Sequence, residues 1–195
     1  MATGDKAKGT AKSRAKAKPA AAVEAKREVA TPASGMDQAK FRSLMRHQAG
    51  AVTIIAVGRA GHRTGLTATA MCSLTDSPPT VLICVNKSAS AHAPIKATGS
   101  FSVNVLGHDQ QELAKRFSTK KVEGEARFDV EDWETLATGA PVLKGTIASL
   151  DCELVSEHEV ETHSIFIGRV KEGRFREDAE PLLYFRGDFW NLGGR

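Results

Sequence analysis

Apolar positions along this chain fall in short blocks separated by turn residues. The longest runs, Ala51 to Val57 and Val81 to Val85, have strand length, and Phe101 to Leu106 alternates with the period of two that turns one face inward. Thr64 to Ala70 reads as a strand of small and β-branched residues, Ser73 to Pro79 as a Ser/Thr/Asp/Pro turn, and Thr80 to Val85 as the return strand. Three more strands are expected near residues 145–157, 162–171 and 181–185. Helical spacing is rarer. Asp37 is placed to cap a short helix through Ala49, with Phe41, Leu44 and Met45 on its apolar face and Gly50 ending it. Lys87-Ser88-Ala89-Ser90 reads as the cap and first turn of a helix running to about Thr98, and Asp109 to Phe117 is amphipathic with Leu113 and Phe117 inward. Gly58 to Gly61 is a turn leading to solvated His62 and Arg63, Ser118 to Glu125 a charged and mobile cover, and Trp133 with Leu136 the anchor of an irregular segment. Many short strands with few helices imply a mostly β domain, a closed and largely antiparallel barrel without internal repeats.

This pattern starts only after residue 35, and charge divides at the same place. Residues 1–35 carry eight Lys or Arg against Asp5, Glu24 and Glu28, a balance of +5; the other 160 residues hold 19 basic and 20 acidic side chains, a balance of −1. The first segment is Ala/Lys-rich, has almost no large apolar side chain and is expected to be disordered, with the domain occupying residues 36–195. A solvated extension is the preferred reading; a basic arm touching nucleic acid or an acidic partner, and an organelle transit peptide, are the alternatives. The balanced body argues against a nucleic-acid surface. No apolar block is long enough to span a bilayer and no secretory h-region precedes the domain, so a cytoplasmic protein without membrane contact is expected. Cys72, Cys84 and Cys152 are odd in number and form no CxxC pair, which points to reduced thiols and to neither a zinc site nor a redox dithiol.

The residue types suggest a ligand site of one kind. Short side chains at Thr67 to Ala70 let a flat molecule lie against the backbone, whose N–H groups and hydroxyls then serve as donors. Asp76 with Pro78-Pro79 stiffens the turn below it. Serine side chains, amides and a lysine at 87–90 suit a phosphate at a helix start, although a plain cap would read the same. An ordinary hairpin within the barrel is the competing reading of the whole stretch. No catalytic triad, carboxylate pair or metal cluster is evident, and no metal is expected.

The order of these residues is more specific than their types. GLTATAMCSLTDSPP (Gly65 to Pro79), then Cys84-Val85-Asn86 and Lys87-Ser88-Ala89-Ser90, resembles the short-chain flavin reductase family. The likeness continues through FSVNVLGHDQQELAKRF (Phe101 to Phe117), PVLKGTIASLDCEL (Pro141 to Leu154), THSIFIGRV (Thr162 to Val170) and LLYFRGDF (Leu182 to Phe189). It covers Phe41 to Phe189.

The resemblance implies an FMN-binding split β-barrel with Greek-key-like connections and a few short helices. It implies an NAD(P)H:flavin oxidoreductase, homodimeric, that takes free flavin, FMN or also FAD, and NADH or NADPH as hydride donor. Reduced flavin would pass to a separate flavin-dependent monooxygenase component, as in two-component aromatic hydroxylases. By the same resemblance Thr67, Ala68, Thr69, Ala70 and Ser73 hold the edge and face of the isoalloxazine. Val85, Asn86, Ser88 and Ser90 hold the ribityl chain and phosphate, and Asn104 and Val105 line the floor. His163 contacts the nicotinamide as the one residue given a catalytic role, and Tyr184 lies in the second nicotinamide-nucleotide segment. The other histidines, at 47, 62, 92, 108 and 158, match none of these blocks and are expected at the surface. One departure stands out: the family has glycine two residues before this histidine, and this chain has Glu161. Reduction of another acceptor on the same fold, a cob(II)rrinoid or a ferric complex, and a non-catalytic flavin-binding module are the alternatives.

Overall fold

A computed structural model of the chain describes residues 35–193. The expectation of disorder for the basic N-terminal segment therefore lies outside the described residues. Strand β2 (Thr53–Val57) is buried along its whole length because both of its faces meet a core. Ile55 and Val57 enter one apolar cluster, while Ile54 and Ala56 enter another. The strand is one of seven in a single sheet.

In that sheet β3 (Thr64–Ala68) lies beside β2, followed by β6 (Ser100–Val105), β9 (Ala148–Val160), β10 (His163–Phe175), β5 (Pro79–Asn86) and β4 (Met71–Asp76). Every neighbouring pair is antiparallel. The sheet curls, since residues of its two edge strands, Leu66, Ala68 and Met71, pack on the same cluster as Ile83, Val85, Phe101 and Phe166 from strands between them. Helix α2 (His92–Thr98) contributes Ile95 to this interior, beside Ala91. On the outer side of β2 and β6, helix α3 (Gln111–Ser118) packs Leu113, Ala114 and Phe117 into the second cluster with Phe128, Leu143 and Leu182.

Among the described residues no ladder joins β3 to β4, so the barrel is split where a closed one was the reading from pattern alone. The chain leaves one edge of the sheet at Ala68 and rejoins it at the other edge, beside β5, so its two ends are not ladder partners. Thr69 and Ala70 alone separate the two strands, and Ala70 carries the chain across the opening by accepting a hydrogen bond from the Cys84 amide (3.0 Å). Two small sheets complete the fold: β7 (Trp133–Thr135) with β8 (Pro141–Leu143), and β1 (Gly50–Ala51), β11 (Leu183–Phe185) and β12 (Asp188–Trp190) in that order. Helix α1 (Gln38–Met45) precedes them, capped as expected by the Asp37 carboxylate, which accepts from the Ala39 and Lys40 amides at 2.8 and 3.1 Å.

Several boundaries differ from the sequence reading. The turn expected from Ser73 is strand as far as Asp76, because an edge strand tolerates exposed polar side chains; only Ser77 and Pro78 reverse the chain. Trp133 sits in a hairpin instead of an irregular segment. The segment from Ser118 to Glu125 is tied down. Buried Arg127 donates to the carbonyls of Gly65, Phe117, Thr119 and Val122, and Arg63 pairs with Glu125. Four hydrogen bonds from one planar fork hold that loop against the barrel. All three cysteines are free.

Candidate active site

The gap between α1 and the exposed side of β4, β5 and the Thr69–Ala70 link forms a cavity of about 550 Å³. Phe41, Arg42, Met45 and Arg46 of α1 and its C-terminal turn make one wall, and Thr69, Ala70, Met71, Cys72, Leu82 and Cys84 the other, with Gly50 and Tyr184 at one end. Gly50 packs closely there: a Cβ would come within 3.1 Å of the Thr69 Cβ. Tyr184 pairs with Gly50 across β1 and β11 and meets the Phe189 ring edge-on, centroids 5.6 Å apart. The Arg186 amide donates to the Arg46 carbonyl at 2.7 Å, which fixes the end of α1 to the β11–β12 hairpin.

Outward positions carry this wall along the sheet. Leu82, Cys84 and Asn86 alternate on β5 and face Ile167, Ile165 and His163 on β10 in register. The cavity floor therefore leads to the end of β5, where the chain turns. Asn86 builds that turn: its Oδ1 accepts from the Ser88 amide (2.8 Å) and the Ser88 hydroxyl (2.7 Å). Its carbonyl accepts from the Ala89 amide at 2.9 Å, and the Lys87 amide donates to the Thr162 carbonyl at 2.9 Å. Ser90 shares a hydroxyl hydrogen bond with Thr64 (2.8 Å). The amides of Ser90 and buried Ala91 have no acceptor among the described residues. Helix α2 begins only at His92, so Lys87 to Ser90 form a turn ahead of the helix, not its first turn as expected.

Ion pairs brace this end. Lys87 meets Glu159 at 2.9 Å and Lys96 meets Glu157 at 2.8 Å. Glu157 Oε1 accepts from the Ser164 hydroxyl, which lies 2.8 Å from His92 Nε2, so α2 is locked to the β9–β10 hairpin. Lys96, with Ser164 and His92, holds the Glu157 carboxyl below its ordinary range, Lys87 and Lys96 do the same for Glu159, and Glu157 raises Lys96 in return. Contrary to expectation, His92 is buried, not at the surface, since it packs on Phe166 with the rings tilted (centroids 5.2 Å apart) within this network. His163 opens β10 opposite Asn86, exposed, with Nδ1 2.9 Å from the Thr162 hydroxyl.

The structure thus brings Thr69, Ala70 and Tyr184 together in the cavity, and Asn86, Ser88, Ser90 and His163 together at the strand end. The other expected residues face elsewhere. Thr67 donates its hydroxyl to the Ala114 carbonyl of α3 (2.6 Å), and Ala68 packs on the interior cluster. Val85 is wholly buried in that interior, leaving only its backbone at the groove. Asn104 is wholly buried, and protein groups take all four of its hydrogen bonds: Ile54 O, Ser102 Oγ, Leu143 N and Ser149 Oγ. Val105 lies two strands across from Ala68, and Ser73 is exposed on edge strand β4. Sequence reasoning missed Arg42, Arg46, Cys72 and Cys84. The signal for the first two was available, since an apolar stripe on α1 with arginines four residues apart needs a surface to face.

The chemistry of these groups fits a flavin nucleotide. A slot between the small residues Thr69 and Ala70 on one side and the apolar stripe of α1 on the other takes a flat ring, and unpaired amides at Ser90 and Ala91 suit a phosphate.

Comparison with known proteins agrees. Residues 45–193 match the flavin reductase like domain. The chain is 41% identical over 161 residues to the FMN reductase (NADH) RutF of Pseudomonas syringae pv. syringae, covering 83% of this chain and 90% of that protein. It is 36% identical over 156 residues to the 4-hydroxyphenylacetate 3-monooxygenase reductase component of Pseudomonas aeruginosa, covering 80% and 92%. Among solved structures, the NADH:FAD oxidoreductase SgcE6 of Streptomyces globisporus, in complex with NAD and FAD fragments, superposes with a TM-score of 0.75 at 32% identity, covering 84% of this chain and 98% of that one. BorF, the flavin reductase component of a bacterial two-component tryptophan halogenase, gives a TM-score of 0.75 at 32% identity, covering 82% and 100%. The chain belongs to the flavin reductase family.

Proposed function

We propose that this protein is an NAD(P)H-dependent flavin reductase that supplies reduced FMN or FAD to a separate monooxygenase. The observation that carries the reading is that the outward-facing Leu82, Cys84 and Asn86 of β5 run from the Thr69–Ala70 slot to the Asn86–Ala91 turn, which puts a ring site and a phosphate site on one face of one strand. The chemistry supplied there is the flavin's own, uptake at N5 of a hydride from C4 of the nicotinamide. The chain's residues bind and orient. Backbone at Thr69 and Ala70 lies against the ring, Asn86 shapes the turn, and the Ser90 and Ala91 amides receive the phosphate. Lys87 adds positive charge beside it. His163 and Tyr184 bracket the nicotinamide, which must sit about 3–3.5 Å above the flavin for transfer.

The protein acts as a cytoplasmic homodimer in this reading. Leu74, Val155 and Val160, each about half exposed at 50%, 50% and 51%, supply apolar surface for a second copy. Residues 36–195 form the catalytic domain, and the basic residues 1–35 take no part in the chemistry. Met36–Arg195 clusters as a unit of its own, which supports this division. The test is loss of NADH absorbance on addition of FMN, FAD or riboflavin to purified protein. Flavin-dependent oxidation supports the proposal; a yellow protein without turnover would replace it by a flavin-binding module.

A further inference from the structure

The cavity beside α1 carries formal charge of one sign only. Arg42 and Arg46 line it, and no carboxylate does. Neither guanidinium makes an ion pair or a side-chain hydrogen bond among the described residues, whereas Arg63, Arg116, Arg127 and Arg174 all do. The two stand four residues apart, so they project from the same side of the helix about 5–6 Å apart at Cβ. Their backbone is fixed: the Arg46 amide donates to the Arg42 carbonyl at 3.1 Å, and the Arg46 carbonyl accepts from Arg186. Two planar guanidinium forks on a fixed frame match phosphate oxygens. The flavin's own phosphate is accounted for at the far end of β5, by the turn at Lys87 to Ala91. A second phosphate port on the same cavity calls for a second phosphate-bearing ligand.

We propose that Arg42 and Arg46 bind the phosphate-bearing part of the dinucleotide hydride donor, and so set the enzyme's preference for a nucleotide over a bare nicotinamide. The assignment rests on the flavin reductase reading above. The competing account is that both cations merely complement the negative C-terminal end of α1, which would leave ligand affinity untouched.

The test compares wild type with R42Q/R46Q and R42K/R46K, with R42Q alone as a milder variant should the double exchange impair folding. Calorimetric titration with NAD⁺ on FMN-saturated protein is expected to show affinity falling by about tenfold or more in R42Q/R46Q, and by less in R42K/R46K, which keeps charge but loses the fork. KM for NADH rises in parallel while kcat is retained. Nicotinamide riboside, which has no phosphate, binds wild type and variant alike. Affinity for FMN and riboflavin, read by fluorescence quenching, stays unchanged. Unchanged NAD⁺ affinity in R42Q/R46Q would overturn the proposal in favour of the helix-end role. Loss of FMN binding with riboflavin unaffected would overturn it by assigning the arginines to the flavin phosphate. Wild type that binds neither FMN nor NAD⁺ would instead overturn the proposed function, and this assignment with it.

Discussion

Glu161 adopts φ 44° in the two-residue turn between β9 and β10, where the resemblance expects glycine. A side chain in the left-handed region costs roughly 1–2 kcal/mol, so Glu161→Gly is expected to stabilise the fold by about 1 kcal/mol or less, part of the gain being offset by a freer unfolded chain. Urea denaturation reads this directly, and a less stable variant would show that the carboxylate does more for the turn than its backbone costs. The histidine two residues later keeps its place opposite Asn86 despite the missing glycine. If His163 orients the nicotinamide, His163→Ala leaves FMN affinity intact and slows NADH-dependent reduction by about tenfold, or 1.4 kcal/mol, while reduction by dithionite is unchanged. Equal NADH rates would remove it from the site. At this scale strand ends and turns bring Asn86, Ser88 and His163 to one place, whereas Val85 and Asn104 face the core. A strand alternates faces, and a one-residue difference in register moves a side chain from groove to core. No sequence pattern around Asn104 announces that Ile54, Ser102, Leu143 and Ser149 will all converge on it.

Strand existence was legible along the chain, because alternation and β-branched runs report burial directly. Edges were not. The polar stretch Ser73 to Asp76 has the composition of a loop yet pairs as β4, since an edge strand needs neighbours on one side only. Whether the sheet closes depends on how the two-residue link at Thr69 and Ala70 crosses the opening, which composition does not encode. The turn after β5 makes a prediction of its own. Ser88 already donates to Asn86, so the turn's shape matters more than that hydroxyl. Asn86→Ala is expected to weaken FMN by roughly 1–3 kcal/mol and riboflavin hardly at all, with Ser88→Ala the smaller effect. The reverse order, measured by flavin fluorescence, would assign the phosphate contact to the serine. Cysteines mark the same wall. Cys72 and Cys84 face the cavity, whereas burial and nearby Asp151 push the Cys152 thiol up to about 12. Maleimide should label the first two, more slowly with FMN bound, and spare Cys152 until the protein unfolds.

Across the whole molecule, the two ends of the groove are held by different physics. Arg127 and the second core fix the α3 side through buried contacts, whereas the α2 side depends on ion pairs at Glu157 and Glu159 with Lys96 and Lys87, and on His92 through Ser164. Pairs of this kind, open to solvent on at least one side, are screened by salt and individually weak, so pH should act on the second end first. Glu157, Glu159 and Glu125 all lie below the ordinary carboxylate value of 4.5 in the folded state, the last because of Arg63. Their contribution is therefore complete above that value and is lost as pH falls through the lowered folded values. Lys96 lies above its ordinary 10.5, so its share is complete below that value and is lost as pH rises past the raised one. Stability should form a plateau between these limits and decline on the acid side. In Glu157→Gln the plateau is lower and the acid decline shallower, because one titrating group is gone and His92 and Lys96 face a neutral amide. FMN affinity should fall with it if the network holds the phosphate turn, and added salt should narrow the gap between variant and wild type. Melting temperatures that track pH identically in both proteins would show that α2 is held by Ala91, Ile95 and Phe166 packing alone.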